Sequence, residues 1–440
     1  MQEIIVGRSK KDIEKHGKKG CILLGKQYVR MGQTTSLSNP IYLDVAGAHV
    51  VFICGKRGGG KSYSMGVIAE GMADLEDEVK SNLSFIMLDT MGIYWTMRYP
   101  NHQDEELLKQ WDLTGKAVDI VIYTPIGYHN IYKEQGIPTD KPFSIKPSEL
   151  TAEDWCMTFE ISMIDPIGIV FTKIIDDFIE NGITDYDIPD MMKAIESDPD
   201  FDTVTKDAAI NLLTSTKQWG LFGKEGTPLK DLAVGGQITV LDVSCYATMP
   251  NGWKVKALVV GLVSQKLFLE RMRARKGEEF SQISSAEHYF TQEVVEKQDF
   301  PLVWLVIDEA HEFLPVKGKN AATEPLVTIM REGRQPGISL ILATQQPGKI
   351  HTDVMTQSDT VISHRITARL DTEALGLLTQ SYMKEGLVQA IDNLPRVKGA
   401  GVLFDDANER LFPFRVRPRF TWHGGASPNA IKDKKNIFEF

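Results

Sequence analysis

The residues Gly55-Lys56-Arg57-Gly58-Gly59-Gly60-Lys61-Ser62 read G-x-x-x-x-G-K-S, and they follow directly on the apolar run His49-Val50-Val51-Phe52-Ile53-Cys54. This arrangement predicts a buried strand, a glycine-rich turn and a helix over about residues 62–75. The glycines let backbone N–H groups turn inward around the β- and γ-phosphates of a nucleotide, Lys61 adds a point charge, and Ser62 offers a hydroxyl to Mg²⁺. The positive end of the helix dipole points at the same phosphates. The candidate nucleotide contacts are Gly55, Gly58, Gly59, Gly60, Lys61, Ser62 and the next residue, Tyr63. The competing reading is a glycine-rich surface turn.

A phosphate cradle needs carboxylates to place Mg²⁺ and polarise water. Leu302-Val303-Trp304-Leu305-Val306-Ile307 runs straight into Asp308-Glu309-Ala310-His311. Such a run ending in two acids is the expected form of a central parallel strand whose C-terminal edge faces the nucleotide. In that setting Asp308, with Ser62, holds the metal, and Glu309 orients or deprotonates the attacking water. In isolation two such acids are as well read as a solvated turn.

At 440 residues, with 42% hydrophobic and 25% charged content, the chain has the composition of a globular protein with one large core or two ordinary ones. The N-terminus has no apolar segment after a basic start and no apolar stretch is long enough to span a bilayer, so the expected location is the cytoplasm, with no membrane. Cys21, Cys54, Cys156 and Cys245 form no C-x-x-C pair and are read as reduced. A net charge of −10 argues against an exterior coated by nucleic acid but leaves a channel open, because the local field governs phosphate binding. Basic clusters stand at Arg8 to Lys19, at Arg271, Arg273, Arg275 and Lys276, and at Arg415, Arg417 and Arg419; each is read as a solvated face or helix end before a DNA contact.

Strand-like runs over residues 83–89, 117–123, 237–243, 302–307 and 338–343 alternate with helical stretches. This predicts an α/β fold with a mostly parallel sheet. Residues 146–230 change to helical periods at 152–161, 167–180, 188–196 and 202–217, which read as an inserted helical bundle. It separates the two parts of the core, residues 46–145 and 231–424, and accounts for the 247 positions between Lys61 and Asp308. A short β element over residues 1–45 precedes the core, a long amphipathic helix covers about 253–275, and a polar tail occupies 425–440.

A third constellation is Arg331-Glu332-Gly333-Arg334-Gln335-Pro336-Gly337, followed by a strand ending in Ala343-Thr344-Gln345-Gln346. Gln345 at a strand tip beside the acid strand is placed to sense the γ-phosphate or the water. Arg331 and Arg334 either reach a nucleotide held by an adjacent subunit or complement a helix C-terminus.

Together and in order, Gly55 to Ser62, Ile307 to His311, Arg331 to Ile338, Ala343-Thr344-Gln345 and Ser363-His364-Arg365-Ile366 resemble HerA, the hexameric DNA-translocating ATPase of the FtsK–HerA superfamily. The resemblance covers about residues 41–418. It implies a RecA-like P-loop core with a helical insertion, a homo-hexameric ring with ATP and Mg²⁺ at subunit interfaces, and double-stranded DNA in the pore. It makes Arg334 the trans-acting finger, with Arg331 as second choice, and Arg365 a cis contact to phosphate. Two departures stand out. About 45 residues precede the core where the family usually has a substantial β-barrel, and Asp89-Thr90-Met91-Gly92-Ile93-Tyr94 has Ile93 where a glutamate is usual. Bacterial relatives are paired with nuclease-type or sirtuin-like effectors in anti-phage defence, which implies a partner of that kind. The alternative function is an ATP-gated scaffold that assembles an effector with little translocation. Lys349 and Arg98 are further candidates for DNA contact, beside core or solvated roles.

Overall fold

Seven-residue runs such as Leu83 to Asp89, buried at every position, cannot expose a face to water; they form strands inside a sheet covered on both sides. In the computed structural model, which describes residues 2–31, 34–287, 300–366, 369–376, 389–391 and 393–425, these runs are joined in one sheet. Its strands are β1 (Ile4–Val6), β2 (Cys21–Met31), β3 (Thr34–Asp44), β4 (Val50–Cys54), β5 (Leu83–Asp89), β6 (Ile120–Pro125), β7 (Lys141–Phe143), β8 (Ile238–Asp242), β9 (Leu302–Ile307), β10 (Ile338–Thr344), β11 (Thr360–His364), β12 (Ala400–Asp405) and β13 (Arg410–Val416). The order is β1-β3-β2-β13-β12-β11-β4-β10-β9-β5-β8-β6-β7.

From β11 to β7 every pairing is parallel, the α/β arrangement expected. Register then decides the site. β10 lies between β4 and β9, with Thr344 opposite Cys54 and Leu342 opposite Ile307. The glycine-rich turn, the strand tip carrying Gln345 and the two acids therefore leave the sheet side by side at one edge.

Residues 1–45 differ from the sequence reading. The expected short β element contains two strands of eleven residues, β2 and β3, forming an antiparallel hairpin with register shifts between Leu23 and Gly25 and between Lys26 and Tyr28. β2 pairs with β13, so the hairpin extends the core sheet. Gly25 permits the join: a Cβ there would stand 2.2 Å from the Arg415 carbonyl oxygen.

The helices follow their local signals. In the inserted segment, Ala152–Phe159 opens on a Thr151/Asp154 capping box and Ile188–Ser197 on an Asp187/Asp190 box, while Pro166–Glu180 starts with proline at its first position. Pro166–Glu180 buries Phe171, Ile174, Ile175 and Phe178 at helical spacing, and Phe171 stacks with Trp155 and Phe159. The long helix is Gly252–Glu287, twelve residues beyond the amphipathic stretch. Residues 276–283 of its extension bury no side chain, but Arg275 pairs with Glu278 and Glu279 at the spacing that supports a solvated helix. Among the described residues no helix is long and apolar enough to cross a membrane. The polar tail, 425–440, lies outside the described residues except for Gly425.

Candidate functional site

The turn after β4 has the backbone that its glycines make accessible. Gly58 and Gly60 hold φ of 71° and 112°, and Gly60 caps the helix Lys61–Ala73, which begins one residue earlier than its sequence pattern indicates. A Cβ on Gly59 would stand 2.8 Å from the Lys56 carbonyl oxygen, and one on Gly55 would stand 2.7 Å from His364 Cβ. Ser64 N–H closes the first turn on the Gly60 carbonyl at 2.9 Å. The N–H groups of Lys61, Ser62 and Tyr63 thus remain as the orphan donors of a helix N-terminus, the arrangement that takes an anion.

His364, at the tip of β11, props this turn. Its ring is buried, Nδ1 lies 3.2 Å from the Ala400 carbonyl oxygen and Nε2 lies 2.8 Å from Ser64 Oγ. Burial pulls its pKa down to about 4, so Nδ1–H donates to the carbonyl and Nε2 accepts from the hydroxyl. A neutral ring is what proximity to Lys61 requires. Next to it, Arg365 accepts Lys56 N–H through its carbonyl oxygen at 3.3 Å, while its side chain is half-exposed.

Across the edge, Ser62 Oγ donates to Asp308 Oδ2 at 3.1 Å, and Asp308 Oδ1 accepts the Glu309 N–H at 2.8 Å. Burial raises the Asp308 pKa, against the pull of the Glu309 N–H and Lys61. Glu309 adopts φ 51°, a left-handed conformation that is uncommon outside glycine. Its Oε2 is buried with no hydrogen bond, and burial with neighbouring Asp308 pushes its pKa up to about 7. His311, which the sequence reading left without a role, lies 3.4 Å from that oxygen through Nδ1. It is also 3.0 Å from Thr344 Oγ1, and its Nε2 is 3.2 Å from Gln346 Nε2.

The structure brings Gly55, Gly58, Gly59, Gly60, Lys61, Ser62, Asp308 and Glu309 into one site, with Gln345 half-exposed at the adjoining strand tip. Gln346, not Gln345, touches the group beside Glu309; a side-chain direction at a strand end is not readable from adjacent identical residues. The Tyr63 side chain turns away from the cradle: its OH accepts Arg419 N–H at 2.7 Å and its ring meets His423 edge-on. Only its backbone N–H is left for phosphate.

Arg331 and Arg334 are elsewhere. Arg331 Nε donates to Asp353 Oδ2 at 2.6 Å. Arg334 is exposed in the turn before β10, and among the described residues no hydrogen bond or ion pair engages it. That turn is at the N-terminal end of β10, whereas the cradle is at the C-terminal end, about 20 Å away along a seven-residue strand.

Several basic residues are internal. Glu70, fully buried on the P-loop helix, receives Arg417 Nη1 at 3.1 Å, Arg419 Nε at 2.8 Å and Thr421 Oγ1 at 2.6 Å. Arg271 is wholly buried and donates to the Pro336 carbonyl, and Arg8 donates to Asp44 at 2.6 Å. Arg98 binds Asp140 and the Ile120 carbonyl. Those of Arg8, Arg271, Arg417 and Arg419 are the bonds of packed interior groups, whereas Arg98 is half-exposed.

Where the usual glutamate is replaced by Ile93, Asp89 organises the turn through its backbone: its two oxygens accept the N–H groups of Met91, Gly92, Ile93 and Tyr94 at 2.7–3.1 Å. Tyr94 is buried against Met65, with Asp308 nearby.

The residues present fit a nucleotide with its metal. A Cβ on Gly55 or Gly59 would clash, the first three helix N–H groups are orphans, and Glu309 Oε2 is buried without a hydrogen bond. Ser62 and Asp308 are the side chains that would hold the metal, with phosphate and water completing its shell.

A family model described as "Helicase HerA, central domain" matches residues 29–248, half of the chain, and one described as "Zonular occludens toxin (Zot)" matches residues 247–382. Over 175 residues the chain is 29% identical to the probable DNA double-strand break repair helicase HerA of Methanocaldococcus jannaschii, covering 36% of this chain and 32% of that one. Against the DNA double-strand break repair helicase HerA of Pyrococcus furiosus it is 27% identical over 181 residues, 39% of this chain and 31% of that one. The match thus spans about a third of the length of these relatives. Among solved structures, VirB4 of Thermoanaerobacter pseudethanolicus shares the fold, with TM-score 0.52 at 14% identity over 91% of this chain and 96% of that one.

Proposed function

The chain belongs to the family of the HerA helicase central domain, and from that premise we propose that it is a Mg²⁺-dependent ATPase that moves double-stranded DNA as a ring of subunits. The observation that carries this reading is the convergence of Ser62 Oγ and Asp308 Oδ2 at 3.1 Å, with the next residue, Glu309, holding a buried oxygen without a hydrogen bond. Bound Mg²⁺ and ATP supply the polarised γ-phosphate. Lys61 and the orphan N–H groups at residues 61–63 hold the phosphates, and Ser62 and Asp308 hold the metal and its water. Glu309 Oε2 takes the proton of the attacking water, and a buried carboxylate with a raised pKa is a better base than a solvated one. Gln345 senses the cleaved phosphate at the adjoining tip.

Arg334 stands at the wrong end of β10 to reach its own cradle, so in this reading it completes the site of a neighbouring subunit; Arg365 makes a second phosphate contact in cis. The relatives' description as DNA double-strand break repair helicases favours duplex DNA as the substrate. A hexamer in the cytoplasm serving a nuclease or sirtuin-like effector encoded elsewhere in an anti-phage system completes the proposal.

The test is ATP turnover with and without duplex DNA in mixed rings. Glu309→Gln and Arg334→Ala should each lose turnover alone, the latter by about 10³-fold or more. A mixture should recover activity, because a Glu309→Gln subunit still lends Arg334 to the intact Glu309 of its neighbour. No recovery would defeat the trans assignment. Turnover indifferent to duplex DNA would favour the ATP-gated scaffold.

A further inference from the structure

The segments that leave β9 and β10 beyond the candidate site are stitched into one unit. Pro315 and Ile350 form an antiparallel bridge, Val316 N–H donates to the Lys349 carbonyl at 3.0 Å, and His351 N–H donates to the Leu314 carbonyl at 2.8 Å. The base is fixed further by Asn320, whose Nδ2 donates to the Glu312 carbonyl at 2.9 Å, and by Gly348 N–H, which donates to Asp371 Oδ1 at 3.1 Å. The side chains at the tips are open to solvent. Val316 is 50% exposed, Lys317 and Lys349 are exposed, and among the described residues neither lysine has an ion-pair partner. Lys319 is neutralised by Glu324 at 2.5 Å.

We propose that the paired loops 316–319 and 347–349 are the nucleic-acid contact, with Lys317 and Lys349 binding phosphates of the duplex backbone without reading sequence. The proposal rests on the DNA-dependent reading above. Two compact point charges on a rigid base, with one small apolar residue and no aromatic platform, suit evenly spaced phosphates rather than a protein groove or a flipped base.

The charge distribution agrees. Residues 146–230 hold 17 Asp and Glu against 7 Lys and no Arg, which accounts for the whole net charge of −10. Duplex DNA is repelled from that insertion and meets a balanced remainder, in which these loops present unpaired cations. Because Gln346 opens the 347–349 turn and contacts His311, a phosphate held by Lys349 is two side chains from Glu309.

The experiment measures binding of a fluorescent 30-base-pair duplex of random sequence by the full chain, over a salt series, for wild type and the Lys317→Ala/Lys349→Ala double variant. A control variant, Lys10→Ala/Lys11→Ala, removes the same charge from the exposed helix near the N-terminus, and thermal melts compare folding of all three. The loop variant should bind at least about tenfold more weakly, with a log–log salt slope shallower by about two, and the control should not. Arginine at both loop positions should restore affinity. Equal affinity and slope in loop variant and wild type would overturn the assignment while leaving the DNA-dependent motor intact. Absence of duplex binding by wild type under every nucleotide condition would overturn both.

Discussion

His311 Nδ1 lies 3.4 Å from Glu309 Oε2, yet its hydrogen bond goes to Thr344 Oγ1 at 3.0 Å. Burial lowers the pKa of His311, so the ring is neutral: Nδ1–H donates to Thr344, and Nε2 accepts from the Gln346 amide. The imidazole thereby is fixed to the tip of β10 and stands beside the Glu309 carboxylate, and Thr344 also accepts Gln346 N–H at 3.0 Å.

His311 is a positioning residue in this geometry. His311→Ala should lower kcat for ATP hydrolysis by about 10²-fold, the scale of an ångström-sized misplacement, with KM nearly unchanged. His311→Gln, which keeps a donor, should recover much of the loss. A KM effect without a kcat effect in steady-state assays would remove the role.

Lys61→Ala and Glu309→Gln should separate binding from chemistry. Calorimetric titration with ATP should show the lysine variant weakened by about 1.5–3 kcal/mol, the value of a charge-assisted hydrogen bond, while the glutamine variant binds as wild type. Equal weakening in both would place Glu309 on the nucleotide itself.

The segment 417–424 straps the P-loop helix through Glu70. Its buried carboxylate, held by Arg417 and Arg419, titrates below the ordinary carboxylate range despite its burial. Its stabilising effect is present above the unfolded value and is lost as pH falls through the lower, folded one. Glu70→Gln leaves two buried guanidinium groups uncompensated and should destabilise the chain by about 3–5 kcal/mol in urea titrations. Gly66→Ala should also destabilise, because its Cβ would stand 2.6 Å from Arg419 Cζ.

His49 sets an alkaline limit. Nδ1 lies 3.0 Å from Asp359 Oδ2 and Nε2 lies 3.5 Å from Asp44 Oδ2, and these carboxylates push the pKa of the buried ring up to about 9. A raised pKa stabilises fully below the unfolded value near 6.5, and the gain fades as pH rises through about 9. Stability should fall by about 3 kcal/mol from pH 6 to pH 10, and His49→Gln should flatten the profile. An unchanged profile in the variant would show that another group carries the dependence.

Local signals reached far into this site. Gly55 to Ser62 specify their own turn, because positive φ and the missing Cβ are properties of the residues themselves. The strand Leu302 to Ile307 was legible from its unbroken apolar run, and the inserted helices from their helical periods. Gln346, His311 and the Tyr63 side chain were not legible, since which way each points depends on the strand or strap that arrives beside it.

The chain by itself determined the cradle, the two acids and the alternation that makes an α/β core, all features whose physics operates within a few neighbouring residues. Tertiary structure alone decided that β10 enters between β4 and β9, that the hairpin of residues 1–45 joins the sheet through β13, and that Glu70 meets Arg417 and Arg419 nearly 350 positions away. Those pairings hold because burying the groups together is favourable only once the chain path has brought them into contact, and no periodicity along the sequence records that path.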